Sequence, residues 1–359
     1  MTDIKSHDKT ATRPLTTAVM TQSPLSRIAK RTRGQSQGPI TRLMSPSDFG
    51  RLLKPFVFLD LFDNQGKPFS GFGLHPHSGI ATLTYVAEGS VSYEDTNGAT
   101  GLLPAGGLEW MRAGGGVWHG GGSGEPGRTR GFQLWIALPP ELELGPSESV
   151  YYSLEVIPHD GPAHVLLGSY GTATSAIQAP SPMNYLAVRL NAGERWSYQP
   201  PAGHTVLWTA IGLGSVLVPD ELHQGELVAF RPSSAAIEFA AQSDAEFVLG
   251  SAVPHEYDLV LGSHSVHTST EALREAEARI SAIQTRLMQQ GELVAFRPSS
   301  ASIEFEALSD AEFVLGSAVP HGYELVLGSH SVHTSTDALR EAETRISEIQ
   351  TRLIQHDKL

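Results

Sequence analysis

Cysteine is absent from the 359 residues of this chain, and its absence excludes several kinds of chemistry. A chain without cysteine has no disulfides, no thiolate metal ligands and no cysteine nucleophile. Long apolar runs are also missing, since no stretch approaches the roughly 20 apolar residues that cross a membrane as a helix. The N-terminal region lacks the apolar core of a signal peptide as well. We therefore expect a cytoplasmic protein with no membrane partner.

Positive charge is scarce and lies mostly near the start of the chain. The 38 Asp and Glu residues outnumber the 25 Lys and Arg residues, which gives a formal net charge of −13. Residues 1–54 hold ten Lys and Arg against three Asp and Glu, so the other 305 residues carry a balance of −20. An acidic body of this kind argues against a broad nucleic-acid-binding face. We expect no direct nucleic-acid partner.

Turn-forming residues are abundant and divide the chain into short segments. Thirty-six glycines and 23 prolines separate apolar or alternating runs of strand length, such as residues 56–62 and 80–86. Asn97-Gly98 is a strong hairpin signal. One helix is predicted from Thr268, where Thr268-Ser269-Thr270-Glu271 has the capping-box pattern. Many short strands with glycine-rich turns predict an all-β sandwich or barrel protein.

The composition changes along the chain predict five segments. Residues 1–24 are polar and lack periodicity, which is typical of a disordered tail. Residues 25–140 form a first β-rich domain, and the stretch 141–150, which follows Pro139-Pro140, is a linker. Residues 151–290 form a second β-rich domain that ends in the helix. Residues 291–359 are a near-identical repeat of the segment that precedes them.

The repeat aligns residues 225–290 with residues 291–356 at an offset of 66 and without a gap. Only ten of the 66 positions differ. Two copies are too few for a solenoid, so we interpret the repeat as a tandem duplication of the last strands and helix of one domain. Unpaired strands in a spare copy would expose sheet edges, which predicts a homo-oligomer formed through the duplicated tail.

Three histidines are the residues most suggestive of function. His75 and His77 stand two residues apart in an extended segment, so both side chains point to one face of a strand. His119 follows beyond two strand-like runs and could fold back beside them. Three imidazoles that converge inside a barrel would make a metal site, whereas a structural pair at a barrel mouth is the alternative. Five other histidines, His204, His223, His255, His264 and His267, show no such convergence, and we assign them structural or exposed roles.

Five segments in combination resemble the pirin family of the cupin superfamily. The matching segments are Pro55-Phe56-Val57-Phe58-Leu59-Asp60, His75-Pro76-His77-Ser78-Gly79, Thr84-Tyr85-Val86-Ala87-Glu88-Gly89, Gly107-Leu108-Glu109-Trp110-Met111-Arg112-Ala113-Gly114 and Gly131-Phe132-Gln133-Leu134-Trp135. The resemblance implies an all-β bicupin with two double-stranded β-helix (jelly-roll) barrels and a C-terminal helix. Residues 25–140 would be the N-terminal pirin/cupin barrel, and residues 151–290 the C-terminal one. The repeated strand and helix segment is an addition.

The resemblance also implies one divalent transition metal in the N-terminal barrel. In that family the ligands are the two histidines of the His-x-His pair, a later histidine, and a glutamate two residues after it. The histidines correspond to His75, His77 and His119, but Gly121 occupies the place of the glutamate. Iron is the first expectation for the ion, with zinc, nickel, copper and manganese as alternatives.

The missing carboxylate weakens both metal affinity and general-base chemistry at this site. Two glutamates are candidates to replace it: Glu109 precedes His119 on a candidate barrel strand, and Glu125 follows it in a glycine-rich loop. By resemblance, one expected function is weak quercetin 2,3-dioxygenase-type activity on a small aromatic, flavonol-like ligand. The other is a non-catalytic regulatory role, in which a degenerate metal site accompanies binding to a protein partner.

Overall fold

The computed structural model describes residues 27–67, 71–287, 293–296, 302–305, 307, 310–328 and 331–355. The predicted disordered tail, residues 1–24, lies outside these ranges. The chain divides into two compact units, Met1–Phe305 and Glu306–Leu359. Both β-barrels belong to the first unit.

The first part of the chain is almost entirely extended. Its elements are β1 (Ile28–Thr32), β2 (Gln35–Gln37), β3 (Ile40–Met44), helix α1 (Phe49–Leu52), β4 (Phe56–Asp63), β5 (Phe72–His77), β6 (Ile80–Glu88), β7 (Ser90–Asp95), β8 (Thr100–Pro104), β9 (Leu108–Arg112), β10 (Val117–Ser123), β11 (Arg130–Ala137) and β12 (Glu148–Tyr152). Strands β2–β12 form the first barrel. One sheet has the order β12-β9-β6-β11-β4-β3-β2, and the sheet that faces it has the order β5-β10-β7-β8.

The second part of the first unit builds the second barrel and the C-terminal hairpin and helix. A 3₁₀ turn (Leu154–Val156) leads to β13 (His159–Asp160), β14 (Ala163–Leu167), β15 (Ser169–Tyr170), β16 (Ala173–Thr174), β17 (Met183–Leu190), β18 (Arg195–Tyr198), β19 (Val206–Leu213), β20 (Ser215–Val218), β21 (Asp220–His223), β22 (Leu227–Phe230), β23 (Ile237–Ala241), β24 (Ala245–Ala252), β25 (Val260–Gly262), β26 (Ser265–His267) and helix α2 (Thr270–Arg286). The sheets of the second barrel have the orders β1-β22-β19-β24-β17-β14-β13 and β18-β23-β20-β21.

The strands at the centre of the first barrel are buried on both faces, which explains why they read as apolar runs. On β6, Leu83 and Tyr85 join a core that the two barrels share, whereas Thr84 points the other way and lines the cavity of the first barrel. This is the two-residue period of a strand. The shared core contains Phe56 and Trp208, whose rings meet edge to face at 5.4 Å. The large buried sheets therefore join the two barrels.

The interior of the second barrel is filled by aromatic side chains. Phe239 and Phe247 stack with ring centroids 4.9 Å apart, and Trp196 packs against both. Nearby apolar residues complete a separate core cluster. The first barrel instead directs polar side chains into its interior, including Asp60, Glu109 and the three histidines. The two barrels share an architecture, but in the described residues only the first combines a cavity with a cluster of metal-ligand side chains.

Two strand pairings bear on the predicted domain boundaries. Strand β1 pairs with β22 in the second barrel, although the prediction places residues 25–140 in the first. Arg31 on β1 and Arg33 just after it bind the buried carboxylate of Glu226 next to β22. These ion pairs hold β1 against the second barrel. Strand β12 begins inside the predicted linker 141–150 but pairs with β9 in the first barrel. The N-terminal strand and the connecting segment are thus each built into a sheet.

The segment after β24 packs on the first barrel. Trp118 on β10 donates its indole N–H to the carbonyl of Ile280 on α2, at 3.2 Å. The helix begins two residues later than predicted: its N-cap is Ser269, which accepts from the N–H of Ala272 at 3.1 Å. Thr268 does not cap the helix because its hydroxyl and N–H both bond Glu143.

The first copy of the repeat supplies β22, β23 and β24 to the second barrel. In the second unit, the described residues form only β27 (Val326–Leu327), β28 (Val332–His333) and helix α3 (Thr336–Gln355). The β27–β28 hairpin has the register of β25–β26, since Val326 pairs with His333 as Val260 pairs with His267. No helix among the described residues is long and apolar enough to span a membrane.

Candidate metal centre

Two neighbouring strands bring the three histidines together. His75 and His77 lie on β5, His119 lies on β10, and the antiparallel register places His119 opposite His75. The predicted same-face pair and the predicted return of His119 therefore both occur. Because β10 pairs with β5 on one side and β7 on the other, the site is held inside a sheet and not on a loop.

The distances among the three rings suit a single ion. The ring centroids are 4.9 Å apart for His75 and His77, 4.6 Å for His75 and His119, and 5.0 Å for His77 and His119. Three imidazoles that bind one ion through nitrogen at about 2.1 Å have centroids roughly 4.5–5.2 Å apart. One nitrogen from each ring lies within 4.8 Å of the others, and this is the only such group of three found in the described residues.

The outward-facing nitrogen of each ring has a partner. Nδ1 of His75 donates to the carbonyl of Gly73 at 2.9 Å, and Nδ1 of His77 donates to the carbonyl of His264 at 2.8 Å. Nδ1 of His119 faces the carboxylate of Glu109 at 3.4 Å. A donating Nδ1–H leaves the Nε2 lone pair free to bind a metal. Within the described residues, the buried Nε2 atoms of His77 and His119 have no hydrogen-bond partner. This pattern fits a metal ion.

Burial keeps two of these rings in the form that binds metal. Loss of solvent, followed by the neighbouring His119 as the next cause, lowers the pKa of His75 to about 4. The same two causes lower the pKa of His77 well below its ordinary value. Both imidazoles are therefore neutral at pH 7, as metal ligation requires.

Glu109 is brought to the site, whereas Glu125 is not. Glu109 on β9 is buried and lines the cavity beside His119. Burial by itself would raise the pKa of Glu109, but the hydrogen bond and the charge interaction with His119 outweigh it, so the pKa is lowered. Glu125 is exposed beyond the end of β10, where its N–H bonds Ser90. Of the two candidate carboxylates, only Glu109 touches a histidine of the cluster.

Gly121 is glycine for a steric reason. A Cβ atom built on it would lie under 3.0 Å from the carbonyl oxygen of Ser92 on β7, a distance that real Cβ atoms do not adopt. The register between β10 and β5 also shifts between His119 and Gly121. The strand therefore has no room for the glutamate that the family pattern places there.

A small cavity adjoins His75 and His119. Its volume is about 70 Å³, and its walls include Phe62, Phe72 and Tyr93. Pockets that enclose a drug-sized ligand have roughly 300–1,000 Å³. Phe72 is nearly half exposed at one side, so its movement would enlarge the space. In the present conformation the cavity accommodates only a small group next to the histidines.

One residue that we assigned a structural or exposed role lies next to the cluster. The ring of His264 is 5.9 Å from that of His75 and 6.2 Å from that of His77, and its carbonyl accepts from His77. His264 stands between β25 and β26 with φ of 62°, a left-handed conformation that is uncommon outside glycine. The one signal in the sequence is the His-x-x-His spacing of His264 and His267, which is too weak to place a contact 187 residues away.

Two stacked all-β barrels with a three-histidine centre in the first define a bicupin. A family model described as Pirin matches residues 39–136. A pirin-like protein of Caulobacter vibrioides is 38% identical over 165 residues, which are 42% of this chain and 58% of the relative. A second pirin-like protein of that organism is 30% identical over 56% of this chain and 74% of its own length. The chain belongs to the pirin family, and the predicted bicupin fold is confirmed.

Other similar proteins carry the name of an enzyme. A protein of Pseudomonas aeruginosa named "Putative quercetin 2,3-dioxygenase" is 27% identical over 66% of this chain and 88% of its own length. The structure of a quercetin 2,3-dioxygenase from Acinetobacter baumannii has a TM-score of 0.61 at 24% identity and covers 70% of this chain and 93% of its own. The bacterial pirin YhhW of Escherichia coli in complex with nickel(II) has a TM-score of 0.50 at 22% identity and covers 62% and 95%. At these identities the structures show the fold alone.

Proposed function

We propose that this chain binds one divalent transition metal ion through Nε2 of His75, His77 and His119. The observation that carries the proposal is the pair of buried Nε2 atoms on His77 and His119 that have no partner among the described residues. They lie with a nitrogen of His75 within 4.8 Å of one another. A buried polar atom without a partner costs free energy, and a bound ion removes that cost. The hydrogen bonds on the opposite nitrogens hold the rings in this orientation.

The donor set limits which ions suit the site. Three neutral imidazoles suit zinc, nickel, copper and iron, and they suit manganese less because it prefers oxygen ligands. Iron is the ion that the family resemblance favours. Without the carboxylate at Gly121, however, the donor set gives no added preference for a harder ion. Nickel(II) is the ion named with the Escherichia coli pirin.

Elemental analysis of the purified chain tests the proposal. We expect close to one transition metal ion per chain, and loss of that metal in the His75→Ala and His119→Ala variants. His223→Ala, at an exposed position in the second barrel, is the matched control and keeps the metal. A metal-free preparation that cannot be reloaded with iron, nickel, zinc, copper or manganese would overturn the proposal.

We propose at most weak dioxygenase activity on a flavonol-like aromatic ligand for the same site. A metal held by the three histidines would supply a Lewis acid that polarises an oxygen atom of the substrate. The chain contributes apolar side chains to the cavity walls, including Phe62 and Phe72, and the buried carboxylate of Glu109, which orients His119. It provides no proton acceptor at Gly121. A reaction that needs a positioned base is therefore slow here.

The size of the cavity favours the alternative, a non-catalytic binding protein with a degenerate metal centre. A flavonol does not fit in about 70 Å³ unless Phe72 or a neighbour moves. In this alternative the metal-loaded barrel is recognised by a regulatory protein partner. Oxygen consumption with quercetin discriminates between the two. Consumption that depends on added metal and disappears in His119→Ala establishes the enzyme, and no consumption in fully loaded protein leaves the binding role.

The duplicated tail carries a separate proposal about assembly. A homo-oligomer formed through residues 291–359 predicts a particle larger than one chain in solution. Deleting residues 291–359 should then reduce the mass measured by light scattering to that of one truncated chain. A full-length chain that is already monomeric contradicts this proposal.

A further inference from the structure

The hairpin β25–β26 is fastened to the first barrel beside the histidine cluster. Ser78, the residue after His77, has its hydroxyl 2.9 Å from Nε2 of His267. Nδ1 of the same ring donates to the carboxylate of Glu143 at 3.0 Å. Glu143 also accepts from the N–H of Thr268 at 2.7 Å and from its hydroxyl at 2.6 Å. One buried carboxylate thus holds the end of the hairpin and the start of α2.

This Ser–His–Glu series has the connectivity of a nucleophilic triad, but its position excludes that role. A nucleophile must be reached by substrate. Ser78 has no exposed surface, and both His267 and Glu143 are almost completely buried. The series is instead a hydrogen-bonded fastening between two segments that lie far apart in the sequence.

The hairpin also touches the cluster through its backbone. Ser78 and Ser265 form a parallel β-bridge, and the N–H of Val266 donates to the carbonyl of Ser78 at 3.3 Å. This alignment brings the carbonyl of His264 to Nδ1 of His77. His264, whose carbonyl accepts this hydrogen bond, has a left-handed backbone conformation that is uncommon outside glycine. Docking of the hairpin therefore decides which nitrogen of His77 carries the proton.

We propose that the hairpin of residues 260–267 is a positioning element of the metal centre. It presents Nε2 of His77 as the donor by holding Nδ1–H, and it is held in turn through Ser78, His267 and Glu143. Because the contacts are shared, metal binding and hairpin docking stabilise each other to the same extent. This inference rests on the proposed metal-binding function.

The second copy of the repeat provides an internal control. Of the ten positions that differ between the copies, eight lie in described parts of the first copy, and all eight are exposed or half-buried there. The second copy therefore retains every docking side chain, including His333, Thr334 and Ser335 in place of His267, Thr268 and Ser269. A substitution at His267 can be compared with the same substitution at His333 in an identical local sequence.

The tests measure metal affinity and the tautomer of His77, that is, which of its ring nitrogens carries the proton. Competition titration with zinc(II) should show a 10- to 100-fold loss of affinity in His267→Ala, roughly the usual effect of removing an outer hydrogen-bond partner. His333→Ala should bind as the unchanged chain does. In metal-free protein, ¹⁵N spectra of the imidazoles should show Nδ1 of His77 protonated in the unchanged chain, and a mixture of tautomers in His267→Ala.

Further variants keep the outcome interpretable. Ser78→Ala removes one hydrogen bond while retaining the His267–Glu143 pair, so it tests the idea even if His267→Ala does not fold. The hairpin of the second copy could dock in place of the first when His267 is replaced. His267→Ala alone would then bind zinc nearly normally, but the double variant His267→Ala/His333→Ala would not. That result supports the role of the hairpin. Unchanged zinc affinity and an unchanged His77 tautomer in Ser78→Ala and in the double variant overturn it. A chain that binds no metal refutes the proposed function, and the tautomer measurement still tests the hairpin.

Discussion

The carbonyl oxygen of Ser92 occupies the space that a side chain at Gly121 would need. Ser92 lies on β7 and Gly121 on β10, and the two strands are hydrogen-bonded neighbours in the sheet that carries His119. The glycine is therefore required by the close approach of two backbones. The carboxylate is missing because the packing of β10 against β7 leaves no room for a side chain at Gly121.

Replacing Gly121 with glutamate should destabilise the barrel and should not restore a ligand. Overpacking of a well-packed interior costs about 1–3 kcal/mol, and here the clash is with backbone, which cannot rotate away. We expect Gly121→Glu to lower the free energy of unfolding in urea by at least this amount. We also expect no gain in metal affinity.

Gly73→Ala is the matched control, because Gly73 lies on the adjacent strand β5 and a Cβ built there meets no atom of the described residues within 4 Å. It should unfold at nearly the same urea concentration as the unchanged chain. A Gly121→Glu variant of normal stability that binds metal more tightly would show that β10 can move away from Ser92.

The metal-free chain should lose stability in weak acid. Burial lowers the pKa of both His75 and His255 to about 4, with added effects of His119 on the first and of Lys54 on the second. Histidines in the unfolded chain take up protons near pH 6.5, so the unfolded state binds more protons than the folded state between about pH 6.5 and 4. Stability is therefore complete above this window and falls as the pH is lowered through it.

The expected slope is about 1.4 kcal/mol per pH unit for each such histidine. Urea titrations of chelator-treated protein at pH 7.5, 6 and 5 measure it. His255→Gln should reduce the slope because one titrating group with a lowered pKa is removed. Equal stability at pH 7.5 and 5 would contradict the lowered pKa values.

A buried ion cluster joins the two barrels at Glu246. Its carboxylate on β24 accepts from Arg130 on β11 at 2.8 Å and from Arg189 on β17 at 2.7 Å. Arg130 is only 3% exposed. Removing the carboxylate would leave its guanidinium buried with much less compensation, which typically costs 3–5 kcal/mol.

We therefore expect Glu246→Ala to destabilise the chain by about 3–5 kcal/mol in denaturant unfolding. Glu312, the counterpart of Glu246 in the repeat, is exposed and has the same sequence neighbours. Glu312→Ala should change the stability by less than about 0.5 kcal/mol. Similar losses in both variants would show that the cluster at Glu246 is not responsible.

Features that depend on local sequence were predictable, whereas pairings between distant segments were not. The alternation along β6 and the turn at Asn97-Gly98 predict strands because side-chain direction and turn geometry are set by neighbouring residues. The same two-residue period places His75 and His77 on one face. Nothing local indicates that β1 pairs with β22, or that the carbonyl of His264 faces His77, because both depend on how the whole chain packs.

In the candidate site, too, residue types were predictable from the sequence, whereas contacts between distant segments were not. The resemblance identifies three histidines and an absent glutamate from residue types alone. The reason for the absence lies in the backbone of Ser92, which no pattern around Gly121 reveals. The role of Glu109 could be suggested from its presence on a barrel strand. Its hydrogen bond to Nδ1, which makes it a positioning partner of His119, depends on how the sheet that contains β9 packs against the sheet that contains β10.

Matched substitutions in the two helices of the repeat should have unequal effects on stability. Ile280 on α2 is 7% exposed and packs near Gly116 of the first barrel, whereas its counterpart Ile346 on α3 is 52% exposed. Placing a carboxylate at a buried apolar position removes the apolar contact and buries a charge, so Ile280→Asp should cost at least about 3 kcal/mol. Ile346→Asp should change the free energy of unfolding by less than about 0.5 kcal/mol. Circular dichroism during urea unfolding measures both.

Equal, small losses in the single variants, followed by a large loss in the double variant, would mean that either copy can take the docked position. A large loss from Ile346→Asp alone would place the second copy in the folded core.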